Sequence, residues 1–381
     1  MKCLGIDSIN GSAVEISGEA IIDSVEPLIT APEGLEHVSP GFIDIQVNGF
    51  AGVDYNSART PHDEIARSVH AQYACGVTRF FPTVITGGPA EMIGALRNLA
   101  NAKESLTEGV AMEAFHVEGP HISPDDGPRG AHPRQWVRKP DLEEFHRWQD
   151  AANGYIRLVT LAPEWPEAND YIEALVRQGI VIAIGHTDAT GEQIRDAVSA
   201  GATLSTHLGN GAHQMLLRHP NYIWEQLAED RLAADFIVDG IHLPDCYLRA
   251  ALRAKGIERS ILVTDASTPA GCEPGRYYLG EQAVDLSADG RVTLAGQTKL
   301  AGSALKMHVG VENLMKLARI SLAEAITMST RNPARVARIG SRQRGLTPGD
   351  RADVVRFNYN NESKSIKILN TWVGGELVYT A

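Results

Sequence analysis

Residues 156–207 read IRLVTLAPEWPEANDYIEALVRQGIVIAIGHTDATGEQIRDAVSAGATLSTH, and this stretch decides the fold class. Its β-rich runs at residues 156–161, 180–185 and 202–207 are separated by two segments in which apolar residues recur at i, i+3 and i+4. That spacing is typical of a helix that buries one face. Strands that alternate with such helices form βαβ units, whose strands are parallel. The stretch therefore predicts an α/β fold built on a parallel sheet.

Eight β-rich runs of this kind occur along the chain. They lie at residues 41–47, 77–85, 110–117, 156–161, 180–185, 202–207, 234–238 and 260–264. Eight strand and helix units over roughly 250 residues are what a (β/α)8 barrel requires. A doubly wound sheet is the weaker alternative, because no glycine-rich phosphate loop follows the first run. We therefore predict a (β/α)8 TIM barrel at residues 41–345.

The two ends of the chain have a different pattern from the middle. Residues 1–40 and 346–381 contain short β-like runs that are punctuated by prolines and glycines. Two terminal segments that both form strands can pack together as one unit. We predict a small β-sandwich domain formed from both chain termini, residues 1–40 plus 346–381. Three more β-like runs between Asp265 and Leu300 predict a hairpin insertion over the barrel mouth.

The composition argues against several classes of partner. The formal net charge is −12, whereas a nucleic-acid surface or a basic membrane patch needs clustered lysine and arginine. The four cysteines form no CxxC pair, so neither a disulfide framework nor a thiolate zinc site is indicated. The sequence has neither a signal-peptide pattern nor an apolar stretch long enough to span a bilayer. We expect a cytoplasmic protein that binds neither nucleic acid nor a membrane.

Polar residues follow several of the predicted strands. Glu118, His186, His207 and Asp265 stand at the ends of the third, fifth, sixth and eighth runs. In a barrel these ends meet at one face, so we expect the four side chains to converge. Two imidazoles and a carboxylate with an open position suit a catalytic Zn²⁺ or a similar divalent ion, with Asp265 beside it. Taken singly, each could instead be a hydrogen-bonded loop residue, an ion-pair partner or a helix cap.

Motifs spread over nearly the whole chain resemble those of the N-acetylglucosamine-6-phosphate deacetylase family of the amidohydrolase superfamily. They are PGFID at 40–44, HVEGP at 116–120, GAH at 130–132, GHT at 185–187, THL at 206–208, DGIH at 239–242, VTDA at 263–266, LAGSAL at 300–305, NPAR at 332–335 and PGDRAD at 348–353. One such motif would be a weak signal. Their order and spacing together are specific.

The resemblance implies a function and a role for each matching residue. The reaction would remove the acetyl group of N-acetylglucosamine 6-phosphate, giving glucosamine 6-phosphate and acetate. The implied metal ligands are Glu118, His186 and His207, the acid/base residue is Asp265, the acetamide contact is His132, and the groups near the phosphate are Asn210, Gly211, Arg218 and His242. In this family a neighbouring subunit completes the phosphate site, which implies a homodimer. The implied cofactor is one divalent ion, Zn²⁺ first, with Fe²⁺ or another divalent ion as the alternative.

Two departures from the family pattern leave alternatives open. Many amidohydrolases carry His-x-His after the first strand, whereas this chain has Gln46-Val47-Asn48, which favours one metal ion over two. After His207 the chain lacks the family's aromatic residue and has an additional His213, which bears on sugar specificity. The nearer alternative is a deacetylase of N-acetylgalactosamine 6-phosphate or of another N-acyl amino sugar. The alternative from a different class is a non-catalytic barrel that only binds amino sugars.

Overall fold

The structure is a computed structural model that describes residues 1–30 and 32–381. Its strands are β1 Lys2–Asp7, β2 Ala13–Gly18, β3 Ile22–Pro27, β4 His37–Pro40, β5 Phe42–Val47, β6 Gly49–Phe50, β7 Val53–Asp54, β8 Val77–Ile85, β9 Phe115–Glu118, β10 Ile156–Leu161, β11 Val181–Ile184, β12 Leu204–Ser205, β13 Ala233–Ile237, β14 Ser260–Val263, β15 Gly275–Leu279, β16 Gln282–Leu286, β17 Val292–Leu294, β18 Val354–Asn360, β19 Ser365–Val373 and β20 Glu376–Thr380.

The α-helices are α1 His62–Tyr73, α2 Pro89–Ser105, α3 Leu142–Ala151, α4 Ala168–Arg177, α5 Gly191–Ala200, α6 Tyr222–Ala228, α7 Asp245–Lys255, α8 Met307–Asn313, α9 Leu322–Ser329 and α10 Arg331–Val336. Short 3₁₀ turns lie at Thr107–Ala111, Arg134–Trp136, Ile257–Arg259 and Gly340–Arg342, and a π turn lies at Leu314–Ala318. Within the described ranges, no helix combines the length and the apolar character that crossing a membrane requires.

Eight parallel strands form the central sheet. Their order is β14-β13-β12-β11-β10-β9-β8-β5, and a parallel bridge from Val47 to Ala266 links the first strand to the segment after the last. Apolar side chains fill the interior, among them Ile43, Phe81 and Leu158, all of which are fully buried. The predicted (β/α)8 barrel is confirmed. The third run was predicted too long, because Val110 belongs to a 3₁₀ turn and the strand begins only at Phe115.

Helix α5 shows how local sequence produces the outer layer of the barrel. Thr190 caps its start by accepting a hydrogen bond from the Gln193 backbone N–H, and the Gln193 side chain bonds back to the Thr190 backbone. The helix ends at Gly201, whose φ of 117° suits glycine. Its buried face carries the apolar residues that the periodicity singled out, including Ile194 and Val198. Such helices anchor the strands whose ends carry the polar residues.

The chain termini build a second sheet of seven strands. Its order is β20-β19-β18-β4-β1-β2-β3, so three C-terminal strands lie beside four N-terminal strands in one sheet. The N-terminal and C-terminal strands meet where β4 pairs antiparallel with β18, and Pro40 lies opposite Val354. A small apolar core of its own includes Ile16, Ile22 and Val38. The predicted β domain from both termini is confirmed, and its strands are linked by hydrogen bonds into one continuous sheet.

A three-stranded antiparallel sheet, β15 to β17, is inserted after the last barrel strand. Its turn region docks on loops around the barrel mouth. Gln282 donates a hydrogen bond to the Ala131 carbonyl at 2.8 Å, and the Gly280 backbone N–H donates to Asp54 at 2.8 Å. The insertion therefore forms one wall of the opening at the carboxyl ends of the strands.

Candidate metal centre and active-site cavity

The barrel strands bring four of the predicted residues to one face. Glu118 ends β9, while His186, His207 and Asp265 each stand two residues beyond the ends of β11, β12 and β14. These last three have positive φ angles of 52°, 30° and 49°, a conformation that is uncommon for residues other than glycine. Such backbone strain persists where the surrounding structure holds it, and it concentrates at functional sites.

The side chains of Glu118, His186 and His207 converge on one point. Glu118 Oε1 lies 2.9 Å from His207 Nε2 and 3.2 Å from His186 Nε2, and the two imidazole nitrogens are 3.1 Å apart. All three side chains are buried, and their ligand atoms lie within 4.8 Å of one another. Two imidazoles and one carboxylate form a donor set that divalent transition metals bind.

The hydrogen bonding of His186 shows that this site fits a cation. His186 Nδ1 lies 2.8 Å from the Pro128 carbonyl, which can only accept, so Nδ1 carries the proton. In the neutral ring, His186 Nε2 then carries the lone pair that a metal ion would bind, and this atom faces Glu118 Oε1 at 3.2 Å. Two buried electron-pair donors at this distance repel each other unless they share a positive charge, which either a proton or a metal ion can supply. The carbonyl bond also orients the ring for metal binding.

The pKa shifts of Glu118 and His207 also indicate that this cluster favours a positive ion. Burial alone would raise the pKa of Glu118, yet hydrogen bonds from His186 and His207 and their positive charges hold it well below its usual range. Burial would lower the pKa of His207, but the hydrogen bond and the charge of Glu118 raise it to about 9. Glu118 therefore attracts positive charge, which a divalent ion would supply in place of a proton.

Asp265 lies beside this cluster and is held by two amides. Its Oδ1 accepts hydrogen bonds from Asn48 Nδ2 at 2.6 Å and from Gln46 Nε2 at 3.2 Å. Gln46 Nε2 also donates to Glu118 Oε1 at 2.9 Å. Burial, with the negative charge of Glu118, raises the pKa of Asp265 to about 6. The amides thus position the two carboxylates, a role that the sequence analysis missed because it considered them only as metal ligands.

Two further residues support the site and were not predicted. Asp235 Oδ1 accepts a hydrogen bond from the His207 backbone N–H at 2.5 Å and so fixes the turn that carries this imidazole. Thr86 Oγ1 lies 2.8 Å from His132 Nδ1. The signal for Asp235 was a single acidic residue inside the otherwise apolar strand β13. Thr86 follows β8 directly and could have been found by the same strand-end rule.

A cavity of about 700 Å³ opens above the cluster. Its lining includes every site residue predicted from the sequence except Arg218: Glu118, His132, His186, His207, Asn210, Gly211, His242 and Asp265. Arg218 instead lies on an exposed loop outside the cavity. Gly211 has a φ of 55°, and a side chain there would come within 2.6 Å of His186 Nδ1, so only glycine fits.

The polar groups of the lining differ in how they are held. His242 Nδ1 is 2.6 Å from Asp239 Oδ2. Burial, together with the charge of His186, lowers the pKa of His132 to about 3, so its ring is neutral near pH 7. The side-chain nitrogen of Asn210 is buried and has no hydrogen-bond partner among the residues that the structure describes. Such a donor can bond a ligand at low cost.

Comparison with known proteins identifies the family. The amidohydrolase family model matches residues 37–378. N-acetylglucosamine-6-phosphate deacetylase of Bacillus subtilis is 35% identical, covering 83% of this chain and 79% of that protein, and N-acetylgalactosamine-6-phosphate deacetylase of Shewanella is 34% identical, covering 90% and 83%. The structure of a mutant N-acetyl-D-glucosamine-6-phosphate deacetylase from Mycobacterium smegmatis, in complex with N-acetyl-D-glucosamine-6-phosphate, superposes with a TM-score of 0.88 at 30% identity over 100% of both chains. The resemblance seen in the sequence is confirmed: this chain belongs to the amidohydrolase family, in the group that contains the N-acetylglucosamine-6-phosphate deacetylases.

Proposed function

We propose that the protein is a metal-dependent hydrolase that converts N-acetylglucosamine 6-phosphate to glucosamine 6-phosphate and acetate. The observation that carries this proposal is the convergence of Glu118, His186 and His207 beside Asp265 in one cavity. The related deacetylases, which match along most of their length, support it. A barrel that only binds sugars is disfavoured, because binding does not need a buried carboxylate beside a metal centre.

Glu118, His186 and His207 are the proposed ligands of one divalent ion, with Zn²⁺ first by its preference for this donor set. When bound, such an ion supplies Lewis-acid activation of water and of the amide carbonyl. The proposal of one ion rather than two is supported by Gln46 and Asn48, whose side-chain nitrogens already donate to the carboxylates.

Asp265 is the proposed acid/base residue. Burial and the negative charge of Glu118 raise its pKa above the usual value for an aspartate, towards the range in which a carboxylate can both accept and return a proton. It takes a proton from the attacking water and transfers it to the amide nitrogen as the C–N bond breaks. The Asn48 and Gln46 side chains orient it by their bonds to Oδ1.

His132 is the proposed contact of the acetamide oxygen. Its ring is neutral, so it carries one N–H, and the hydroxyl of Thr86 lies 2.8 Å from Nδ1. If Thr86 donates to Nδ1, the remaining proton is on Nε2 and can be donated to the oxygen on which negative charge develops. Thr86 would then act as a positioning residue that selects this tautomer.

The phosphate is proposed to lie near Asn210, Gly211 and His242, with Arg218 supplied by a second subunit. The position of Arg218 on an exposed loop supports this arrangement, because the side chain lies outside its own cavity. The same loop exposes Met215 by 90% and Leu217 by 76%. Exposed apolar side chains grouped in this way are typical of a protein interface, which supports a homodimer.

N-acetylgalactosamine 6-phosphate is the second candidate substrate. One observation favours it: the Shewanella enzyme named for this substrate is about as similar to the chain as the Bacillus enzyme is. The two sugars differ at a single hydroxyl, and one barrel can serve several substrates. The glucosamine compound remains the first proposal, because the solved complex that superposes over the full chain contains it.

We also propose that the domain boundaries lie at residues 40/41 and 345/346. Strand β4 of the terminal sheet ends at Pro40, and strand β5 of the barrel begins at Phe42. This change of sheet supports the first boundary. The second is supported by Leu346, which packs against the core of the terminal sheet.

The deciding experiment is acetate release from both 6-phosphates and both unphosphorylated sugars. Metal-stripped protein is assayed alone and after addition of Zn²⁺ or Fe²⁺. We expect metal-dependent release from a phosphorylated sugar, with the preferred epimer having the higher kcat/KM. Absence of release from all four compounds in metal-loaded protein would refute the proposal. Release that did not depend on added metal would refute the metal centre.

A further inference from the structure

The cavity above the metal centre is poor in fixed positive charge. Among the described residues that line it, Lys299 is the only lysine or arginine, whereas Glu118 and Asp265 contribute carboxylates. A phosphate monoester carries about −1.5 to −2 charges near pH 7. Arg218, the other candidate cation, lies outside the cavity. A dianionic substrate therefore has one strong cation available within its own subunit.

We propose that Lys299 is a phosphate-binding residue contributed by the same subunit, an inference that rests on the proposed phosphorylated substrate. Lys299 lies on the segment that returns from β17 to the barrel. Its Nζ donates to the Gly130 carbonyl at 3.2 Å, and within residues 1–30 and 32–381 no carboxylate lies at ion-pair distance from it. Asp126, whose charge interacts with that of Lys299, is already paired with Arg129.

Lys299 is close to the proposed phosphate position, because Gly130, which it contacts, and Gly211 both pack against His186. A side chain on Gly130, whose carbonyl binds Lys299, would come within 3.1 Å of His186 Cε1, and one on Gly211 would come within 2.6 Å of His186 Nδ1. Gly130 and Gly211 therefore lie against the same imidazole edge. Gly127 also lies against the His213 backbone, so the two loops touch.

Lys299 can readily exchange its hydrogen bond to the Gly130 carbonyl for one to a phosphate oxygen. A neutral carbonyl is a weaker acceptor for an ammonium group than a phosphate oxygen is, because the phosphate adds the attraction between two opposite charges. The side chain is exposed and has a flexible four-carbon stem, so it can move from Gly130 to the phosphate. The insertion that carries Lys299 thus contributes to substrate recognition as well as to the cavity wall.

The test compares Lys299→Met, Lys299→Arg and the native enzyme on N-acetylglucosamine 6-phosphate and on N-acetylglucosamine. We expect Lys299→Met to lower kcat/KM for the phosphorylated sugar by at least about tenfold, mainly through KM, as loss of a charged hydrogen bond does. Lys299→Arg should recover most of this loss, and the unphosphorylated sugar should be unaffected. Arg291→Met is the matched control, because Arg291 is an exposed cation of the same insertion, paired with Asp289.

Equal losses on both sugars, or no loss on the phosphorylated one, would overturn the role of Lys299. If the native enzyme did not hydrolyse the phosphorylated sugar, the proposed function would fail instead. Calorimetric titration of the metal-loaded protein with inorganic phosphate tests Lys299 independently of turnover. Binding that Lys299→Met weakens at least about tenfold, while Arg291→Met leaves it unchanged, supports the proposal, and equal binding by all three proteins refutes it.

Discussion

Two buried clusters of charged residues in this protein are organised in opposite ways. The junction cluster lies between the barrel and the terminal sheet and consists of Asp353, Arg79 and Arg351. Asp353 Oδ2 accepts a hydrogen bond from Arg79 Nε at 2.8 Å, and Oδ1 accepts one from Arg351 Nε at 2.8 Å. At the barrel mouth, in the mouth cluster, Glu118 Oε1 lies 3.2 Å from His186 Nε2 and 2.9 Å from His207 Nε2, two nitrogens that can bind a metal ion. Both carboxylates are almost completely buried. The junction carboxylate is paired with arginines, whose positive charge is permanent, whereas the mouth carboxylate is paired with imidazoles, which can give up their protons to a metal ion.

The difference separates a structural charge from a functional one. A buried ion pair with its hydrogen bonds satisfied holds two parts of a fold together, and it is costly to break because a lone charge is left behind. A buried carboxylate whose neighbours are electron-pair donors needs a positive charge to balance its own, and a bound metal ion can supply that charge. Four predictions test this division, and they run from the largest expected effect to the smallest.

The largest effect is expected from Asp265→Asn. This change removes the proposed proton acceptor but keeps the shape of the side chain. We expect deacetylase activity to fall about 10³-fold, or ~4 kcal/mol in the barrier, as loss of a general base typically does. Steady-state kinetics measure the loss, and elemental analysis should find the bound metal unchanged. A variant that lost its metal as well would show that Asp265 is a ligand and not the base.

Mutation of the junction cluster should lower the stability of the protein and should not act on the catalysed reaction. Asp353→Asn removes the anionic partner of the partly buried Arg351 and one of the two anionic partners of the buried Arg79, which keeps Glu113. We expect this loss to lower the free energy of unfolding by about 3 kcal/mol. Urea unfolding of the metal-loaded protein measures it. The matched control is Asp285→Asn, which breaks the exposed pair with Arg276 and should not move the midpoint. Equal shifts for the two variants would remove the distinction between buried and exposed pairs.

Metal removal should destabilise the mouth cluster alone. A ligand present at 100 times its Kd stabilises the folded state by about 2.7 kcal/mol, so adding Zn²⁺ to stripped protein should raise the unfolding midpoint accordingly. The gain should disappear in His207→Ala. It should persist in His70→Ala, because His70 is an exposed histidine paired with Glu108. A gain retained by His207→Ala would place the ion elsewhere.

The smallest effect concerns Asp44, a buried carboxylate on β5 whose hydrogen bonds among the described residues come from Thr264 and from the Gln46 backbone N–H. It accepts from the Thr264 hydroxyl at 2.5 Å, and burial raises its pKa to about 7. The folded state therefore binds this proton more tightly than the unfolded state, whose pKa is about 3.9. The resulting stability is complete below about pH 4 and is lost as the pH rises towards 7.

Asp44→Asn cannot titrate at this position, so the stability of the variant relative to the native protein should rise with pH. We expect the difference in unfolding free energy to change by about 1 kcal/mol between pH 5 and pH 6, close to the limit for one proton. Urea midpoints at the two pH values measure it. A difference that stayed constant with pH would mean that Asp44 is ionised in the folded protein.

The sequence carried enough information for the barrel and for the centre of the site. Alternating β and helical periods predict parallel strands, and the closed geometry of a barrel brings the strand ends together whatever their separation in the chain. Glu118, His186 and His207 could therefore be predicted as a group. The exact start of β9 could not, because a short apolar run such as 110–117 fits a strand or a turn equally well from its pattern alone.

What only the tertiary structure decided is how those residues are held and charged. The bonds of Gln46 and Asn48 to Asp265, and of Asp235 to the His207 backbone, join residues that are far apart in sequence. No local pattern specifies such partners, since hydrogen bonds depend on positions within an ångström and pKa shifts depend on burial. The sequence by itself determined which chemical groups meet at the barrel mouth. The folded structure determined which of them are donors, which are acceptors, and which carboxylate is surrounded by metal-ligating nitrogens.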